Sequence, residues 1–194
     1  MNPFNGLLLW LIVGALPVYL APYLWRKQSP HRLGLVVLIG AWVLWGWTLN
    51  ETPLRWTSGQ IAFVADGVTV ALGAVALTLG TCAFLFSGPD VREHTNADTY
   101  CALLLLLIAC AIAVVAAADL LNLWLWFECM AVVAYILVAF HSDEPTALEA
   151  TLKYFVQSVA ASMLILAAIA LTLAEAGGVS FALLRAEPGT LELR

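Results

Sequence analysis

Residues 119–140 read DLLNLWLWFECMAVVAYILVAF. After Asp119 the run holds a single charged residue, Glu128, in an otherwise apolar stretch long enough to cross a bilayer, which takes about 20 residues as a helix. Asp119 suits the start of such a helix, where a carboxylate caps free N–H groups and meets the positive end of the helix dipole. A water-soluble domain has no use for this pattern.

Working outward, five more segments have the same character. The expected spans are about 6–25, 33–49, 67–87, 99–117, 119–140 and 147–174, in a single membrane domain over 1–175 followed by a C-terminal tail over 176–194. The last span is long enough to tilt or protrude. Pro17 and Pro22 fall in the first, where proline kinks a helix unless neighbouring helices satisfy the freed carbonyls. Asp66 opens the third span as Asp119 opens the fifth, and capping is the expected role of both. The Gly177-Gly178 pair reads as a helix stop.

Composition agrees. Of 194 residues, 63% are hydrophobic and 11% charged, against roughly 25% charged in ordinary soluble domains. The mean hydropathy is +0.94. These values describe an all-α integral membrane protein in a lipid bilayer and exclude nucleic-acid binding as its task. The net charge of −5 says little about partners, because the charges lie in loops on both sides of the membrane.

The first apolar run has no Lys or Arg before it and ends at Tyr23-Leu24-Trp25-Arg26-Lys27 without a small-residue cleavage site. It reads as a spanning helix, not a signal peptide. Arg26-Lys27-Gln28-Ser29-Pro30-His31-Arg32 is the densest basic loop, and the positive-inside rule places it in the cytoplasm. The N-terminus is then outside, together with residues 50–65, the turn at Ala118-Asp119 and the tail after Glu175. Residues 87–97, with Arg92, and His141 to Pro145 are inside.

Trp25, Tyr23, Trp47, Trp56 and Tyr100 lie where aromatic anchors sit at membrane interfaces. Cys82, Cys101, Cys110 and Cys129 fall in apolar runs with no metal-ligand spacing and read as small buried hydrophobes. His31 and His94 read as loop residues. No Fe–S, haem or dinucleotide motif is present, so no cofactor is expected on this chain.

The charges within the spans are the candidates for chemistry. Glu128 lies nine residues past Asp119, about 13 Å into a core about 30 Å thick. An ionised carboxylate at that depth costs about 2.5–3.5 kcal/mol on insertion scales, so it requires a protein or water-lined environment. On the same helical face lie Trp124, Ala131, Val132 and Tyr135.

Lys153 falls about six residues into the sixth span, on a face that continues through Glu149 and Gln157. Antiparallel packing brings Lys153 towards Glu128 from the opposite side, with an offset of several ångströms. Two other readings stay open for Lys153, an i, i+4 ion pair with Glu149 and snorkelling to the interface. Glu128 has one, a protonated carboxyl hydrogen-bonded within a helix bundle. His141, just past the fifth span, has a side chain that titrates near neutral pH and is a candidate relay beside its ordinary reading as a solvated loop residue.

The run Asp119–Glu128, then Ala134-Tyr135-Ile136-Leu137-Val138-Ala139-Phe140, then Glu149-Ala150-Thr151-Leu152-Lys153-Tyr154-Phe155, resembles the antiporter-like membrane subunits of respiratory complex I. These are the L, M and N subunits of NADH-quinone oxidoreductase, with relatives in Mrp-type antiporters and membrane-bound hydrogenases. Asp66-Gly67-Val68 is similar to the start of the family's third helix. The resemblance is specific over about residues 98–174.

It implies the first six helices of a fold of about 14, with inverted repeats and broken helices that build ion sites near the midplane. It implies that Glu128 corresponds to the family's functional fifth-helix glutamate and Lys153 to its sixth-helix lysine. The broken seventh helix, the eighth-helix lysine and the second repeat have no match here, so a further chain supplying those helices is an expected partner.

The implied function is proton or Na+ translocation within a multi-subunit, energy-converting complex of an energy-coupling membrane, with bacterial or archaeal plasma membrane expected. Glu128 and Lys153 would carry it, with Glu149, Gln157, Tyr135 and His141 as secondary candidates. The alternatives are a subunit of a Mrp-like antiporter or ion-driven uptake complex, or a scaffold that translocates nothing.

Overall fold

The structure is a computed structural model that describes residues 3–24, 29–58, 61–91, 96–141 and 145–186. It contains helices α1 (Pro3–Leu24), α2 (Pro30–Glu51), α3 (Gly67–Val91), α4 (Ala97–Ala116), α5 (Leu120–Val138) and α6 (Pro145–Ala176). Strands β1 (Leu54–Ser58) and β2 (Ile61–Ala65) pair between α2 and α3, a 3-10 turn (Ala139–His141) follows α5, and α7 (Phe181–Ala186) follows α6. Among the described residues six helices are long and apolar enough to cross a membrane, and the all-α membrane expectation holds.

Some differences from expectation lie outside the spans. Residues 50–65 contain a two-stranded sheet, and residues 176–194 contain a helical turn. β2 is Ile-Ala-Phe-Val-Ala, rich in the β-branched and aromatic residues that favour strands. α1 runs through both Pro17 and Pro22 as one helix. The basic run Arg26-Lys27-Gln28, Arg92, and residues 142–144 and 187–194 lie outside the described residues, as do the side chains of Tyr23, Trp56 and His141.

Packing divides the chain into two compact units. The first comprises residues 1–54 and 65–113. Within it, indole N–H groups join helices: Trp10 Nε1 donates to the Val37 carbonyl at 2.9 Å, and Trp42 Nε1 to Thr81 Oγ1 at 3.1 Å. Such donors have no water to turn to in lipid, so they find protein acceptors. Gly34 lets α2 approach α3 closely, because a Cβ there would strike the fully buried Phe84 ring.

His31 belongs to this packing, and its reading as a loop residue is corrected. It is buried in the first turn of α2, stacks on Phe84 with ring centroids 4.9 Å apart, and its Nε2 lies 3.2 Å from the Phe84 carbonyl. A carbonyl only accepts, so that contact requires the proton on Nε2. Asp66 caps α3 as expected: Oδ1 accepts from the Thr69 N–H at 2.9 Å and from its hydroxyl at 3.0 Å. The backbone N–H of Thr69, above all, holds the Asp66 carboxyl below its ordinary pKa.

Of the four cysteines, none of which is in a disulfide, Cys101 and Cys110 are buried as expected, whereas Cys82 and Cys129 lie on exposed helix faces. An apolar environment for the latter two would come from outside the described residues.

The second unit comprises residues 55–64 and 114–194. Its centre is the α5–α6 hairpin. At one end three chain segments form a hydrogen-bonded layer: Ala118 N–H donates to the Ala62 carbonyl, Phe63 bridges Ala117, Leu120 N–H donates to Val179, Phe181 N–H donates to Ala118, and Asp119 bridges Ser180. Gly177, at φ 68°, ends α6 and turns the chain towards that layer, in the left-handed conformation that glycine adopts freely.

Candidate functional site

α5 begins where Asp119 accepts the Asn122 N–H at 2.6 Å, a side-chain cap on a buried helix end. Glu128 is the ninth residue of this 19-residue helix and so lies near its middle. Two contacts fix the register of α5 on α6. Trp124 Nε1 donates to Ser162 Oγ at 2.8 Å, and the Tyr135 ring meets Phe155 edge-on with centroids 5.4 Å apart.

Trp124, Glu128 and Tyr135 lie within about 40° of one another around α5, so Glu128 sits on the stripe that faces α6. By the antiparallel register its level on α6 is Ser158–Ser162. Glu128 is half-buried, and its Oε1 is closed to solvent with no hydrogen-bond partner among the described residues. Buried polar atoms are ordinarily hydrogen-bonded, so this oxygen calls for a partner that the described residues do not supply.

The structure does not bring Lys153 to Glu128. Lys153 lies about 160–180° around α6 from Phe155 and Ser162, on the face turned away from α5. The same register puts it level with Tyr135, about 10 Å along the axis from Glu128. Its Nζ instead meets Glu149 Oε1 at 2.6 Å, the local i, i+4 pair that the spacing allowed. Both side chains are about two-thirds exposed, 70% and 66%, and Gln157 on the same stripe is exposed as well. The physical reason is the 100° step of the helix, which puts residues 149, 153 and 157 on one line and 155 and 162 on the opposite one.

Tyr135 serves the α5–α6 packing through its ring. His141 ends the 3-10 turn. Among the described residues no three His, Cys, Asp or Glu side chains gather where they could hold a metal ion.

On the opposite face of α5, Asn122 and Trp126 recur at i, i+4 beneath β2. Asn122 Nδ2 donates to the Ala62 carbonyl at 2.8 Å, and the Trp126 ring lies 6.4 Å from Phe63. Nothing in the residue pattern marked this face as more than apolar filling. The signal that marks it is the asparagine, a costly residue one turn into a membrane span unless it is bonded.

Comparison with known proteins bears out the resemblance seen in the sequence. Residues 117–190 match the family model described as NADH:quinone oxidoreductase/Mrp antiporter, TM. The chain is 30% identical over 176 residues to NADH-quinone oxidoreductase subunit N of Methylobacterium nodulans, an alignment covering 88% of this chain and 36% of that protein. It is 33% identical over 174 residues to subunit N of Paramagnetospirillum magneticum, covering 89% and 36%. The chain thus spans about a third of the length of the curated relatives it matches. Among solved structures, a chain of the membrane-bound sulfane sulfur reductase, an archaeal respiratory membrane complex, superposes with a TM-score of 0.79 at 22% identity, over 94% of this chain and 39% of that one. That likeness shows the fold of the helices.

Proposed function

Starting from this kinship with antiporter-like membrane subunits, we propose that the chain takes part in proton or Na+ translocation within a multi-subunit complex related to NADH-quinone oxidoreductase, in an energy-coupling membrane. One observation carries the reading: Glu128 holds a carboxyl oxygen, closed to solvent and without a hydrogen-bond partner among the described residues, at the middle of a membrane-spanning helix. Insertion scales penalise an ionised group there by about 2.5–3.5 kcal/mol, which a stability role alone does not repay.

In the proposed cycle Glu128 exchanges a proton with water or a neighbouring donor. Its proton occupancy responds to charges that approach or leave, because such charges act strongly where water is scarce. Lys153 is the proposed mobile charge. In the pair with Glu149 it is held away from α5, and release from that pair frees a cation on the cytoplasmic half of α6, with the N-terminus outside. No cofactor is assigned to the chain, and redox chemistry would lie in other subunits.

The α6 stripe of Glu149, Lys153 and Gln157 also supports the proposed partnership. Exposed polar groups inside a span require cover from protein, and further helices of the complex would supply it. The relatives matched are NADH-quinone oxidoreductase subunits, which favours that assembly over the Mrp-type antiporter also named in the family's description.

The test is Glu128→Gln in the assembled complex. Ion translocation is expected to fall at least tenfold while the co-purifying subunits are unchanged. Translocation at the native rate with normal assembly overturns the reading.

A further inference from the structure

Two buried polar atoms on the α5 face opposite α6 lack partners among the described residues: Asn122 Oδ1, an acceptor, and Trp126 Nε1, a donor. They belong to side chains one helical turn apart on one face, about 5–6 Å between Cβ atoms. The Asn122 amide cannot turn to exchange its ends, because its Nδ2 donates to the Ala62 carbonyl, and an oxygen placed there would face another acceptor. That carbonyl also accepts from the Ala118 N–H, so both its lone pairs are engaged. Trp126 is held by its contact with Phe63. Asn122 is 4% exposed, so bulk solvent does not reach it.

We propose that this is a water-binding site, in which one ordered water donates to Asn122 Oδ1 and accepts from Trp126 Nε1. Buried waters occupy sites where two to four polar groups would otherwise go unpaired, and a single water can accept from one group while it donates to another. A direct bond between the two side chains would satisfy the same atoms, but each is anchored to β2 by a separate contact. The water completes the join between β2 and α5. Trp126, the later of the two residues, stands two positions before Glu128 and on the other face of the helix. The inference stands on Asn122 and Trp126 alone, without the reading of Glu128.

The experiment has two parts, both on the intact native complex. In a density map fine enough to show waters elsewhere in the membrane domain, a peak is expected 2.7–3.2 Å from both Asn122 Oδ1 and Trp126 Nε1. An empty site, a protein group there, or a direct bond between the two side chains overturns the proposal. The second part is a double-mutant cycle of Asn122→Ala and Trp126→Phe, read as apparent melting temperature. The lost bond to Ala62 is common to both arms and cancels. A water shared by the two makes the double variant's drop smaller than the sum of the single drops, whereas strictly additive drops overturn the proposal. Should a variant fail to assemble, the density map of the native complex decides alone.

Discussion

Trp124 donates its indole N–H to the hydroxyl of Ser162, a residue 2% exposed, and this bond joins α5 to α6 one turn from Glu128. It does two things. It fixes which residues of α6 stand opposite Glu128, and it uses the same device as two other helix pairs, Trp10 on Val37 and Trp42 on Thr81.

Ser162→Ala leaves that indole N–H unpaired between two helices. The expected loss of stability is about 0.6 kcal/mol, the average measured for side-chain hydrogen bonds between membrane helices, and at most about 1.7 kcal/mol. Adding Trp124→Phe to Ser162→Ala removes the stranded donor and should cost little more. Thermal denaturation of the detergent-solubilised complex reads both.

The cap of α5 is a second point of attack. Asp119→Ala removes the acceptor of the Asn122 N–H and should destabilise by about 1 kcal/mol, while Asp119→Asn keeps an acceptor and should cost only a few tenths. Equal losses for the two variants, measured by chemical denaturation, would show that the charge and not the hydrogen bond is what matters.

Asp66 yields a pH dependence. Its carboxyl is held below the ordinary value of 3.8, first by the Thr69 backbone N–H, so the ionised form is favoured in the folded chain. A group with a depressed folded pKa contributes stability that is present above about pH 4 and lost as pH falls through the folded value. Between pH 5 and 3 the native chain should therefore lose stability more steeply than Asp66→Asn. The side chain is well exposed, so the difference is one of slope, small in size and reduced by salt.

Close packing gives the last test. Gly34→Ala drives a Cβ into Phe84, a fully buried side chain, and overpacking of this kind costs about 1–3 kcal/mol. Gly46, on the same helix, has nothing within 4 Å of where a Cβ would stand. Gly46→Ala should then be neutral or stabilising by up to about 1 kcal/mol, from helix propensity alone.

Much of this was legible in the residues. Length and apolarity are enough to define spans, because lipid forbids unpaired backbone, and Asp66 and Asp119 announced the helix starts they cap. The depth of Glu128 followed from counting. What escaped was lateral. Periodicity puts Glu149, Lys153 and Gln157 on one face but does not say which neighbour that face meets, and only the Trp124–Ser162 and Tyr135–Phe155 contacts show that it is not α5. His31 was missed because a histidine beside a basic run looks solvated until Phe84, 53 positions away, is seen against it.

The layer formed by Ala62–Phe63, Ala117–Asp119 and Val179–Phe181 links three places in the chain separated each time by two spans, α3 with α4 and then α5 with α6. Insertion with either pair miscounted by one helix would strand a piece of the layer across the bilayer from the others. The layer therefore acts as a parity check on insertion, and a sidedness reporter placed beside any one of its three segments reports the orientation of them all.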